Sequence, residues 1–121
     1  MKRIYVVEYS KLARNRIRQA LTWVDDCEII GEAEAANEGI AGVSDLDPDI
    51  VITDLLLKDG TGVDVVKRIR ARHGPARPAI FVLTNRPNPT HRAKLEQAGA
   101  NGVFDKLREY GLLIDELRDV A

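Results

Sequence analysis

Four short apolar runs in this chain end in polar residues that together have the makings of phosphoryl-transfer chemistry. Ile4 to Val7 leads into Glu8, Ile50 to Thr53 into Asp54, Phe81 to Leu83 into Thr84, and Val103 to Asp105 into Lys106. If these runs are neighbouring parallel strands, a carboxylate pair, a hydroxyl and an ammonium converge at one edge of a sheet. That is an aspartyl-phosphate site in outline: a carboxylate oxygen as nucleophile, with cationic and hydroxyl groups to neutralise the phosphoryl oxygens. Taken singly, each residue has a blander role as a loop aspartate, a surface lysine or a threonine capping its own loop. Their joint order reverses that preference.

The elements that must position these groups alternate along the chain. Ile4 to Glu8 reads as a strand, and Ser10 caps a helix whose apolar positions Ala13, Ile17, Ala20, Leu21 and Val24 recur at helical spacing. A strand near Glu28 to Ala33 follows, then a weaker helix through Ala36, Ile40, Val43 and Leu46, diluted by Gly39 and Gly42 and stopped at Asp47-Pro48. Asp49 to Thr53 reads as a strand buried on both faces. Thr61 caps a helix with Val65, Val66 and Ile69 inward, ended by Gly74 and Pro75. Ala79 to Thr84 is a strand, Thr90 to Ala98 a helix closed by Gly99, Gly102 to Asp105 a strand, and Tyr110 to Val120 a final helix. Five βα units imply right-handed crossovers and a doubly wound parallel sheet, with ligands bound beyond the carboxyl ends of its strands.

Composition excludes extremes. At 121 residues the expectation is one domain over 1–121, with no output domain attached. The chain is 45% hydrophobic and 31% charged with a formal net charge of −1, which provides no general pull toward nucleic acid or an anionic membrane. The single cysteine, Cys27, cannot form an internal disulfide, the polar start is no signal peptide, and no apolar stretch approaches the roughly 20 residues of a membrane span. A reducing cytoplasm is the expected location.

The sequence of motifs resembles the receiver domain of bacterial response regulators. Val6-Val7-Glu8 is followed by Pro48-Asp49-Ile50-Val51-Ile52-Thr53-Asp54, then Asp59-Gly60-Thr61-Gly62, Leu83-Thr84, and Ala98-Gly99-Ala100-Asn101-Gly102 ahead of Lys106. The resemblance covers essentially the whole chain. It implies a flavodoxin-like fold of strand order 2-1-3-4-5 and a phosphoryl-accepting aspartate, Asp54, served by a histidine kinase or phosphotransfer protein. It also implies that Lys106 pairs with Asp54 and then with the phosphoryl oxygens, and that Thr84 bonds the phosphoryl group. Mg²⁺ would be held by Glu8, Asp54 and the backbone carbonyl of Leu56. Such a chain is a switch and no enzyme beyond its own phosphorylation and dephosphorylation. Its partners would be the donor, a downstream protein or output domain, and a second copy of itself.

Three departures from that pattern matter. The position of the usual second acid after the first strand holds Tyr9, and a protonated phenol is a poor Mg²⁺ ligand, so metal affinity should fall. Tyr9 would either fill the ligand space or pack over the first helix. The usual switch aromatic is replaced by Val103, and Phe104, next along a strand, faces the other way and cannot stand in for it. Lys106 is followed by Leu107 where the family often has proline.

The remaining candidates read as structural. His73 and His91 fall on exposed helix ends without a metal-ligand spacing partner, Cys27 is a small buried hydrophobe, and Trp23 covers the end of the first helix. Lys58 to Gly62 reads as a turn whose glycines permit positive φ. Arg86, Arg92 and Lys94 form a solvated basic face, open to an acidic partner and not to nucleic acid. A nucleotide- or flavin-binding enzyme would want a glycine-rich cradle after the first strand, and Glu8 to Leu12 contains no glycine. The choice left is between a phosphorylatable receiver and a degenerate one that binds partners without phosphate.

Overall fold

The computed structural model describes residues 1–85 and 87–120; Arg86 therefore lies outside the described residues. Strands β1 (Lys2–Val7), β2 (Cys27–Ala33), β3 (Ile50–Asp54), β6 (Ala79–Thr84) and β7 (Gly102–Asp105) form one parallel sheet in the order β2-β1-β3-β6-β7. In sequence terms this is the expected 2-1-3-4-5. Between the strands run α1 (Lys11–Leu21), α2 (Ala36–Leu46), α3 (Gly62–His73) and α4 (Pro89–Ala98), and α5 (Tyr110–Asp119) closes the described chain.

Alternation along each strand divides the core into two layers. Val7, Val51, Ile80, Val82 and Val103 pack with residues of α2, α3 and α4, while Ile4, Val6, Ile52, Phe81, Leu83 and Phe104 pack with Ile17 and Leu21 of α1 and Leu113 and Leu117 of α5. Val103 and Phe104 thus lie on opposite faces, as the strand period requires. Phe104 meets Phe81 with ring centroids 6.1 Å apart.

The register brings the strand ends to one edge. Val7 pairs with Thr53, Asp54 with Leu83, and Thr84 with Asp105. Glu8 follows directly on β1 and Lys106 directly on β7, so all four polar residues leave the sheet side by side.

Local signals account for most helix ends. Ser10 Oγ accepts from the Ala13 amide at 3.2 Å. Thr61 and Asp64 form a reciprocal capping box at the start of α3. Helix α2 has no cap of its own, and its first amides are met from a distance: Asp59 accepts from Ala36 N at 2.5 Å and Asn37 N at 3.1 Å. These amides hold the Asp59 carboxyl below the usual carboxylate range.

The segment after Asp54 departs from the expected simple turn. It forms a small antiparallel hairpin, β4 (Leu56–Leu57) with β5 (Gly60–Thr61). Neither Gly60 nor Gly62 has positive φ; the positive-φ glycines described are Gly74 and Gly99. Gly62 is required for space, since a Cβ there would lie 2.5 Å from the Asp54 carbonyl oxygen. Trp23 also differs from expectation. It is 74% exposed, and the contact at this end of α1 is a hydrogen bond from Arg118 of α5 to the Trp23 carbonyl.

Gly62→Ala should therefore push α3 away from the end of β3. A loss of about 2 kcal/mol, typical of overpacking, is expected as a lowered urea midpoint at unchanged slope.

Candidate functional site

At the carboxyl edge of the sheet one ammonium bridges two carboxylates. Lys106 Nζ lies 2.8 Å from Asp54 Oδ2 and 2.5 Å from Glu8 Oε1. Glu8 is 1% exposed. Its Oε2 accepts from the Ser10 amide at 3.0 Å, while its buried Oε1 faces the Lys106 ammonium. Asp54 Oδ1 accepts from the Leu55 amide at 2.7 Å. Burial pushes the Glu8 carboxyl above its ordinary pKa, with the Lys106 and Ser10 hydrogen bonds acting the other way. For Lys106, burial disfavours the charge, but the hydrogen bonds it donates to Asp54 and Glu8 outweigh it and hold the ammonium above the ordinary lysine value.

Thr84 completes the line of groups. It is buried, its backbone carbonyl accepts from Lys106 N at 2.9 Å, and its hydroxyl donates to the Asn85 carbonyl at 3.4 Å. Beside Asp54 opens a cleft of about 210 Å³ lined by Leu55, Leu56, Thr84, Asn85 and His91. Leu56, two residues past Asp54, is 72% exposed at its rim. The sequence expectation for Glu8, Asp54, Thr84, Lys106 and Leu56 thus corresponds to one contiguous set of residues in space.

Tyr9 is 55% exposed, and among the described residues its hydroxyl makes no hydrogen bond to the carboxylates or Lys106. The loop that carries Glu8 and Tyr9 is held by Arg14, whose guanidinium donates to the Glu8 carbonyl at 2.8 Å and the Tyr9 carbonyl at 3.1 Å, and pairs with Glu34 at 3.3 Å.

The loop after Lys106 is fixed without proline. Asp105 Oδ1 accepts from Leu107 N at 2.8 Å, and Glu109 Oε1 accepts from Asp105 N at 2.8 Å. Arg92 of α4 donates to the Val103 carbonyl and pairs with the same Glu109 oxygen at 2.8 Å. The Asp105 amide first, and Arg92 second, keep the Glu109 carboxyl below its ordinary pKa. Arg92 is therefore no member of a solvated basic face, whereas Lys94 is exposed. The reason is tertiary: α4 lies against β7, and a guanidinium there finds a strand-end carbonyl and a carboxylate from the next loop.

Arg92 carries no local sequence signal, because its partners are set by how α4 lies on the sheet. His91 is exposed as expected, yet it lines the same cleft as Asp54 and Thr84. His73 is half-buried, with Nε2 3.5 Å from Ser44 Oγ. Cys27 is half-buried against the α1 side of the core, and burial pushes its thiol up. Among the described residues no group of three His, Cys, Asp or Glu side chains converges, and no helix is long and apolar enough to cross a membrane.

Chemically, the edge can present a carboxylate nucleophile beside an ammonium and a hydroxyl. The model of the response regulator receiver domain family matches residues 4–118. A nitrate/nitrite response regulator protein homolog of Haemophilus influenzae is 28% identical over 119 residues, covering 98% of this chain and 56% of that protein. The response regulator GacA of Pseudomonas viridiflava is 29% identical over 107 residues, 88% of this chain and 49% of GacA. The chain thus spans about half the length of these relatives. Among solved structures, a LuxR-family two-component response regulator from Aurantimonas sp. SI85-9A1 superposes with a TM-score of 0.89 at 26% identity, covering 97% of this chain and 82% of that one. The isolated receiver domain of RcsB from Salmonella enterica serovar Typhimurium, solved with phosphomimetic BeF₃⁻, gives 0.85 at 25% identity over 96% of this chain and 85% of its own.

Removing the bridging cation should leave two carboxylates facing each other. Lys106→Met is expected to destabilise the fold by about 3 kcal/mol at pH 7. Because the folded pKa of Lys106 is raised, its contribution is complete below the ordinary lysine value of 10.5 and is lost as pH rises through the higher folded value. The raised Glu8 carboxyl binds its proton more tightly in the folded state, so the variant's deficit should shrink as pH falls and Glu8 protonates. Urea denaturation of both proteins at pH 7 and pH 5 tests this; an equal deficit at both values would contradict it.

Proposed function

We propose that this chain, which belongs to the response regulator receiver domain family, accepts a phosphoryl group on Asp54 and uses the modification as a switch. The observation that carries the reading is the Lys106 ammonium 2.8 Å from Asp54 Oδ2, with Thr84 lining the cleft that opens from the same carboxylate. A carboxylate oxygen of Asp54 attacks phosphorus, the bond from phosphorus to a phosphohistidine nitrogen breaks, and an acyl phosphate results. Lys106 keeps the nucleophile and the incoming anion from repelling one another and then serves the phosphoryl oxygens as a point charge. Thr84 donates its hydroxyl to the phosphoryl group. Residues 1–121 act in this as a single receiver domain.

Mg²⁺ fits the residues present, at reduced strength. The buried Glu8 Oε1 has the Lys106 ammonium for a partner and Asp54 stands across the same lysine, which supplies two carboxylates for a cation that takes one or two and keeps several waters. Glu8, Asp54 and the Leu56 carbonyl would hold it, and its chemistry would be charge neutralisation at the phosphoryl oxygens. Tyr9 contributes no carboxylate, and its exposure leaves that side of the site to water.

The donor class is a histidine kinase or phosphotransfer protein. The reader of the signal is a downstream protein, an output domain or a second copy of the chain; a LuxR-family two-component response regulator among the structural relatives, and curated relatives about twice this chain's length, favour the output-domain route. A reducing cytoplasm fits the lone Cys27. The second reading, a receiver that binds partners without phosphate, draws on Tyr9 alone, and the retained Asp54, Thr84 and Lys106 weigh against it.

Intact mass after incubation with a small phosphodonor and Mg²⁺ should rise by one phosphoryl group in the parent and stay unchanged in Asp54→Asn. No gain in the parent, with a control receiver labelled, would favour the phosphate-independent module. Restoring the second acid with Tyr9→Asp should tighten Mg²⁺ binding about tenfold by calorimetry, the equivalent of about 1.4 kcal/mol. An unchanged dissociation constant would count against this description of the metal site.

A further inference from the structure

We propose that His91 is a further phosphoryl-contacting residue, its ring N–H donating to an oxygen of the phosphoryl group carried by Asp54; this rests on the reading of Asp54 as the acceptor. The cleft beside Asp54 counts Thr84, Asn85 and His91 among its lining residues. The group that enters it carries three non-bridging oxygens. Lys106 and Thr84 account for two of them, and with Tyr9 in place of a metal-binding acid the third lacks a full share of cationic neutralisation. Among the described side chains of this cleft, the His91 imidazole and the Asn85 amide are the donors besides the Thr84 hydroxyl. A neutral imidazole always keeps one N–H, so the contact does not require the charged form.

His91 is held in place for such a contact. Asn88 caps α4 and its Oδ1 accepts from the His91 amide at 2.8 Å, with Pro89 starting the first turn. The next residue, Arg92, ties that turn to the sheet edge through the Val103 carbonyl and Glu109. The backbone at His91 is thereby fixed relative to β7, which leads directly into Lys106. An exposed ring on an anchored turn loses less freedom on meeting a ligand than one on a free loop, so more of the contact shows as affinity.

Beryllofluoride, which adds to an aspartate as a phosphoryl mimic, is the probe, with fluorescence or NMR titration at fixed Mg²⁺. His91→Ala and His91→Phe should weaken its apparent binding about tenfold, the worth of one charge-assisted hydrogen bond. His91→Gln, which keeps an N–H donor, should recover most of that loss. The lifetime of the aspartyl phosphate should move in the same sense, shorter in Ala and Phe and near the parent in Gln. Imidazole proton and nitrogen resonances of the parent should shift on adding beryllofluoride, a change that a purely structural histidine would not show. Equal binding by parent, Ala and Phe variants, with thermal unfolding unaltered, would overturn the proposal while leaving Asp54 as acceptor intact. Failure of the parent itself to bind beryllofluoride or take up phosphate would overturn both.

Discussion

A single ammonium between two carboxylates, in a place largely closed to water, sets the terms for the rest of this molecule. Glu8 is almost wholly buried, and removing a carboxylate from water costs several kcal/mol unless a partner charge and hydrogen bonds replace the lost solvation. Lys106 supplies the charge to Glu8 and Asp54 together, while the Ser10 and Leu55 amides each satisfy one further carboxylate oxygen. These groups come from the ends of three different strands. The arrangement therefore depends on the register of β1, β3 and β7 in one sheet. A one-residue slip would send each side chain to the opposite face. Burial of both faces of the sheet under helices makes such a slip costly, because it would exchange Val6 with Val7 or Ile52 with Thr53 against packed neighbours.

The loops that carry the site are each tied to a helix by a polar contact reaching across sequence. Arg14 holds the loop of Glu8 and Tyr9, Asp59 links the hairpin after Asp54 to the first turn of α2, and Arg92 links α4 to the strand and loop around Lys106. The effect of these contacts is positional: they fix backbone that would otherwise move relative to the sheet edge. Charge at the site is also unlike the family pattern. With Tyr9 in place of a second acid, two carboxylates face one ammonium, which lowers both the pull on a divalent cation and the repulsion met by an incoming phosphoryl anion.

Much of this was legible in the order of residues. Strands announced themselves as β-branched runs, helices as apolar positions at helical spacing, and the strand order followed from the resemblance to receivers and is the one observed. The opposite facing of Val103 and Phe104 needed only the period of a strand. Ser10 and Thr61 were readable as caps because a cap bonds an amide a few residues away. Less legible were features whose cause lies far off in sequence. The cap of α2 comes from Asp59, the requirement for Gly62 comes from the Asp54 carbonyl, and Trp23 is left exposed where a covered ring was expected.

Sequence by itself determined the alternation of elements, the family, and which carboxylates, hydroxyl and ammonium stand at strand ends, since those depend on local periodicity and on residue type. Tertiary structure alone decided that Lys106 bridges Glu8 and Asp54 rather than pairing with one of them. It alone turned Arg92 from a surface charge into a clamp and placed His91 on the cleft that opens at Asp54. The physical reason is the same in each case. Such contacts are fixed by the spacing of strands and the seating of helices on the sheet, distances that only the packed core sets.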